Sequence, residues 1–315
     1  MRSRLRSRLL AAFAAAGFLL AAPPRAAEPA LSLVEVARGV HVHFGVQEDW
    51  LPSNGGDVAN IGFVVGTRCV AVVDSGGSLE IGRRLKRAVE ATTKVPVCYV
   101  INSHSHPDHV LGNAAFMGGP DLPKVVAHKR LGASLAARER NYLNAVERDF
   151  GVAMAREQIV YPTLAVDKRL ELDLGGRTLV LDAWPTAHTD HDLTVLDTAT
   201  RTLFLSDLLF VERLPVLDGN LRGWLSVLAE LSRLDVKLAV PGHGPSSGDW
   251  PKVLEPQLGY LQALLSETRA AIKRRMTITE AVEQVGRNAS RGWLLADQFH
   301  RRNVTAAYAE LEWED

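Results

Sequence analysis

Residues Asn102–Gly112 read NSHSHPDHVLG and follow directly on the apolar run VPVCYVI at 95–101. That run has the length and β-branched content of a buried strand, so the polar segment sits at a strand's C-terminal end. It crowds His104, His106, Asp108 and His109 into six residues. Imidazoles and carboxylates packed this densely against a core are costly unless they bind something, and they are the side chains that hold divalent metals. His104 and His106 alternate and so leave the chain close together on a tight loop. Asp108 and His109 can aim at a second point nearby, so one loop can feed two ions.

Working outward, isolated ligand types recur after later apolar runs: His188 in AWPTAHTDHDL, Asp207 in TLFLSDLL and His243 in LAVPGHGP. Each is expected at the C-terminal end of a strand, and in layered α/β folds those ends converge on one edge. The strands themselves are expected from SLVEVARGVHVHFGV, which turns at Arg38-Gly39, and from IGFVVGTRCVAVVD, split at Gly66-Thr67-Arg68. Helical spacing over 79–90 precedes the 95–101 strand, and a helix-rich stretch covers 129–150. Strands near 170–174 and 178–182, then 193–197 and 202–206, a helix over 223–234 and the strand KLAV complete the pattern. After PGHGPSSGD only helices are expected, over 250–275 and 278–285, the second opened by a T-x-x-E capping box at Thr277 and Glu280.

Taken in order, HSHPDH, AHTDHD, LFLSD and PGHG resemble the metallo-β-lactamase superfamily over roughly 31–245. The resemblance implies an α/β fold, a four-layer αββα sandwich with two zinc ions along the sheet edge, and the helices after it read as a helical C-terminal extension. His104, His106 and His188 would hold the first, Asp108, His109 and His243 the second, with Asp207 bridging. Asp207 stands where one β-lactamase subclass has cysteine, which is more like the glyoxalase-type hydrolases. More narrowly, SNGGDVANIGFVVG and SHSHPDHVLGN look like the quinoprotein relay system zinc metallohydrolases, a family named for its association with quinoprotein dehydrogenases. The implied chemistry is hydrolysis of an ester, thioester, lactone or amide by hydroxide generated near neutral pH, with Asp108 orienting it and relaying a proton to the leaving group. Two other readings stand beside it: a mononuclear iron (Fe2+) sulfur dioxygenase, and a metal-binding accessory protein without turnover.

Around this set, Asp74 is either a carboxylate that orients a ligating histidine or a turn residue in DSGGS. The loop GVQEDWLPSNGGD could close on substrate through Trp50 and Leu51, and Asn220 could polarise a carbonyl. His41 and His43 read as the polar face of a strand, His191 as a solvated loop residue, His128 and His300 as surface residues. Cys69 and Cys98 lack metal-binding spacing; buried free thiols are expected in preference to a cross-strand disulfide, whose geometry is awkward.

Composition bounds the rest. The 315 residues are 47 % hydrophobic, ample for a core, and 36 Lys plus Arg balance 36 Asp plus Glu, so nothing global favours nucleic acid or an acidic membrane. A small-molecule substrate is expected instead. The start MRSRLRSR carries four arginines, and LLAAFAAAGFLLAA follows as 14 uncharged residues. This is a signal-peptide pattern, set at 1–27, ahead of a 31–249 domain and a 250–315 extension packed on it; an uncleaved anchor is the alternative. No stable membrane span is expected after cleavage. Export to the periplasm or beyond therefore predicts a mature N-terminus between Ala22 and Ala30 in the extracytoplasmic fraction. Edman sequencing of fractionated cells checks it, and a cytoplasmic protein beginning at Met1 contradicts it.

Overall fold

The structure is a computed structural model, and it describes residues 29–119 and 121–314; the expected signal segment lies outside them. Strands β1 (Val34–Ala37), β2 (Val40–His43), β3 (Ile61–Val65), β4 (Val70–Val73), β5 (Val97–Asn102), β6 (Lys124–His128) and β7 (Leu164–Val166) form one sheet in sequence order. It is antiparallel from β1 to β4 and parallel from β4 to β7. A second sheet has the order β12-β11-β10-β9-β8, with β8 (Arg169–Asp173), β9 (Thr178–Ala183), β10 (Leu193–Asp197), β11 (Thr202–Phe210) and β12 (Leu238–His243). Only its β11–β12 pair is parallel.

The alternation of side chains builds the layers. Val40, Val42, Val64, Ala71, Val73 and Ile101 meet Leu172, Leu179, Leu181, Val195 and Phe204 between the sheets. On the far side of the first sheet, Phe63, Val70, Val72 and Val100 receive Ile81, Leu85 and Val89 of α1 (Leu79–Thr92). Ser78 caps α1 by accepting from Ile81 N, so the cap is Ser78 and not Asp74. The short α2 (Pro107–Val110) and the long α3 (Leu131–Phe150) cover the same side.

The outer face of the second sheet packs on α4 (Leu221–Leu231), α5 (Glu255–Lys273), α6 (Ile278–Gln284) and α7 (Ala296–Leu311). One continuous core joins Leu203, Leu205 and Leu208 to Tyr260, Leu264, Ala281, Val304 and Leu311. Thr277 and Glu280 form the expected capping box. Strands β6 and β7 and helices α2 and α7 were not among the expected elements. Among the described residues no helix is long and apolar enough to cross a membrane.

Three expectations are corrected. Cys69 and Cys98 form a disulfide, with Cα atoms 5.5 Å apart. The reason is a bulge: Val70 pairs with Val97 and Ala71 with Tyr99, so Cys98 is the extra residue of β5 and turns toward Cys69. His128 and His300 are buried, at 5 % and 8 % exposure. His300 accepts from Tyr260 OH through Nδ1 and donates from Nε2 to Val285 O, which fixes α7 to α5 and α6. Cross-linking a loop of 29 residues stabilises by about 2–4 kcal/mol through the unfolded chain. Cys69→Ser should lose that amount in denaturant unfolding, and a reductant should destabilise the wild type but leave the variant unchanged.

Candidate metal centre

Four strand ends and the interior of a fifth strand deliver the site. Asp74 follows β4; His104 and His106 lie in the turn after β5; Asp108 and His109 sit on α2, which Pro107 opens. His188 comes from the β9–β10 connection, and His243 closes β12. Asp207, expected at a strand end, lies within β11, which runs on to Phe210 because Gln257 of α5 bonds Leu208 O and Phe210 N. Its neighbour Ser206 is left-handed, with φ 48°, and breaks the β11–β12 register there. Gly242 is required beside it: a Cβ at that position would lie 1.9 Å from Asp207 Oδ1.

The seven side chains converge as two groups, His104, His106, His188 and Asp207, and Asp108, His109 and His243, with the candidate ligand atoms of each group within 4.8 Å of one another. Asp207 divides its carboxylate between them. Oδ2 lies 3.4 Å from His188 Nε2 and 3.8 Å from His104 Nε2; Oδ1 lies 3.2 Å from His109 Nε2 and 3.5 Å from His243 Nε2.

Outer hydrogen bonds decide which ring nitrogen faces inward. His188 Nδ1 donates to Val216 O (2.7 Å), and His109 Nδ1 to Asp74 Oδ2 (2.8 Å). His106 Nε2 donates to Asp218 Oδ2 (3.0 Å), which turns Nδ1 inward to within 3.2 Å of His188 Nε2. Ser103 Oγ donates to Asp74 Oδ2 and so accepts from His104 Nδ1. His243 Nδ1 donates to Val58 O at 2.8 Å, with Arg213 Nη1 also near it at 2.9 Å. While the rings are neutral, every inward nitrogen is then a lone pair, facing other lone pairs and two carboxylates. Buried atoms His104 Nε2, His109 Nε2 and Asp207 Oδ1 have no hydrogen-bond partner among the described residues. Each such orphan costs about 1–3 kcal/mol. A donor set of imidazole and carboxylate acceptors that face one another fits divalent cations.

The sequence profile described as the metallo-β-lactamase superfamily matches residues 54–243, more than half the chain. The chain belongs to that superfamily. Among solved structures, a metallo-β-lactamase from Pontibacter korlensis is 20 % identical, with 74 % of this chain and 99 % of that one covered at a TM-score of 0.59. The sec-alkylsulfatase Pisa1 from Pseudomonas sp. is 18 % identical, with 90 % of this chain but 51 % of that one covered at a TM-score of 0.66. At these identities the likeness establishes the fold. No curated protein matches by sequence.

Within this metallo-β-lactamase fold, burial drives His104 well below its ordinary pKa and His188 down to about 3. Burial acts to raise Asp108 and Asp207, but the potential of His109 and His243 outweighs it and holds both carboxyls below the usual range. Burial acts to lower His109, yet Asp207, Asp108 and Asp74 override it, so its proton is held well above the usual range.

The remaining candidates fall elsewhere. Asp74 accepts from His109 Nδ1, Ser103 N and Ser103 Oγ, and its φ of 56° aims it there. Trp50 donates to Gly77 O and packs on Phe150 in a cleft that none of the seven lines, and Leu51 is exposed. Asn220 uses its side-chain oxygen to cap α4 at Gly223 N. His191, expected in solvent, is fully buried and accepts from Ser105 N, holding the histidine loop from within. His41 is half-buried, its ring stacked on Phe63, and His43 bonds Asp57 and Ser32 O, so neither is merely a solvated polar face. Sequence reasoning missed Asp218, Arg213 and Tyr142, whose hydroxyl donates to Ser105 O. None stands in a motif, and only the pairing of distant segments reveals them.

His109 links metal uptake to pH. Below its raised pKa, Nε2 carries a proton that a cation must displace, so affinity should rise with pH and uptake near neutrality should release protons. Titration calorimetry of zinc into metal-free protein, in two buffers of different ionisation enthalpy, measures the release. Identical heats in both buffers contradict it.

Proposed function

We propose that the protein is an exported, dinuclear zinc-dependent metallohydrolase acting on an acyl-type small molecule: an ester, thioester, lactone or amide. The observation that carries this reading is the divided Asp207 carboxylate, one oxygen toward each of two complete donor groups. A mononuclear iron site needs two histidines and one carboxylate and leaves the second group unused. Export is supported by the disulfide, which belongs to oxidising compartments, together with the arginine-led apolar start. A role beside a periplasmic quinoprotein dehydrogenase is supported by SNGGDVANIGFVVG and SHSHPDHVLGN. The sulfatase and the β-lactamase among the structural neighbours act on their own substrates; only their folds support this reading.

Divalent ions held here supply acidification of water and polarisation of an electrophile. The chain's residues do the rest. His104, His106 and His188 hold the first group's position; Asp108, His109 and His243 the second's; Asp207 spans both. Asp108 is ionised, partly open to solvent, and its Oδ2 lies 3.4 Å from His243 Nε2. It orients the attacking water by accepting its proton and passes that proton to the leaving group. Asp74 fixes the His109 tautomer.

Asp108→Ala should lose the second ion and at least about 100-fold of turnover on thioester or lactone substrates, while His41→Ala should alter neither. Metal analysis of protein purified without added metal gives the parallel test. Two zinc per chain with hydrolysis supports the reading. One iron with oxygen uptake on persulfide overturns it, and two zinc without turnover on any acyl substrate leaves the accessory role.

A further inference from the structure

Helix α7 lies beyond residues 54–243, the part shared with the superfamily, yet it reaches the segment that orients two histidines of the first donor group. Asn303 is fully buried and clamps the connection after β11 from both sides: Nδ2 donates to Pro215 O (2.6 Å), and Oδ1 accepts from Leu217 N (2.9 Å). A further bond to Tyr260 OH at 2.9 Å ties the same amide to α5. Between the clamped groups stands Val216, whose carbonyl accepts from His188 Nδ1. One residue after Leu217, Asp218 accepts from His106 Nε2 through Oδ2, while its Oδ1 accepts from Arg302 Nη2 at 2.9 Å. Arg138 of α3 steadies the same carboxylate from the opposite side, at 3.3 Å.

We infer that α7 is a positioning element of the first donor group, acting through Asn303 on the Val216 carbonyl and through Arg302 on the Asp218 carboxylate. The inference rests on the reading of this cluster as a metal site. Two consecutive helix residues thereby set the tautomer and ring angle of two of the three histidines in one group. The other group takes nothing from Asn303 or Arg302: His109 is oriented by Asp74 and His243 by Val58 O, and α7 reaches His243 only through Phe299, which packs on Arg213. Partners that orient a ligand in this way typically control 10–100-fold, roughly, of metal affinity. An amide whose oxygen and nitrogen bond backbone on either side of one carbonyl leaves that carbonyl little freedom to rotate. The rotation of His188 is therefore inherited from α7.

The two groups can be read separately. In a His243→Ala background, where the first group is intact, Asn303→Ala should weaken zinc binding by roughly 10-fold in a chelator competition, and should shift the visible bands of the cobalt-substituted protein. In a His188→Ala background, where the second group is intact, the same substitution should leave affinity unchanged. Arg302→Ala, at a side chain 54 % exposed and outside the core, should act in the same direction, and Arg302→Lys should recover part of the effect. Arg301→Ala, on the same helix but paired with exposed Glu283, should match the wild type. Equal weakening in both backgrounds, or none in either, overturns the role of α7. A wild-type protein that binds no metal overturns the metal reading itself.

Discussion

The crowding of hydrogen-bond acceptors around Asp207 is the constraint on which the rest of the structure turns. With the rings neutral, five imidazole lone pairs and two carboxylates face one another with no donor between them, among largely buried side chains. Such an arrangement is repulsive unless cations occupy it, and protons on His109 relieve it only in part. Every imidazole must therefore be held with its other nitrogen bonded outward, or it would rotate away. That requirement explains why Asp74, Asp218, Ser103 and the carbonyls of Val58 and Val216 stand where they do.

These outer partners come from both sheets, so the separation of the two donor groups depends on how the sheets are joined. Asn60 is the stitch. Its backbone N–H donates to Gly242 O, and its amide donates to Pro241 O and Gly244 O, bracketing His243. A residue just before β3 thus fixes the last ligand of β12. Gly242 lets Asp207 approach the same strand, and left-handed Ser206 turns that carboxylate toward the edge. The strained backbone at Ser206 and Asp74 sits beside the ligands and is held by the packed sheets behind them.

Much of this was legible in the sequence, for a physical reason. Ligands at strand ends follow apolar runs that are themselves unmistakable, and the H-x-H-x-D-H spacing leaves few alternative geometries. The strands that were missed, β6 and β7, are only five and three residues long, and α7 has no strong apolar stripe to announce it. Partners such as Asp218 are invisible for a different reason: their meaning depends on a contact across more than a hundred residues of chain with His106. The disulfide was misjudged because regular parallel strands disfavour it, and a one-residue bulge is not encoded in any local pattern. His191 reads as a loop residue and His128 as a surface one in sequence, yet both are buried.

The disulfide and the metal centre occupy opposite ends of the same strand pair. Cys69 and Cys98 join β4 to β5 where the strands begin, and Asp74 and the histidine turn leave where they end. In a parallel pair, register fixed at one end is carried to the other: Val73 faces Ile101, and Asp74 N donates to Ile101 O at 2.8 Å. That pairing aligns the Asp74 carboxylate with Ser103 N at 2.8 Å and His109 Nδ1 at the same distance. A slip of one residue would turn Asp74 to the other face and leave His109 free to rotate. Between staple and metal centre lie about five residues of strand, roughly 17 Å. The covalent bond thus constrains the donor geometry without approaching it.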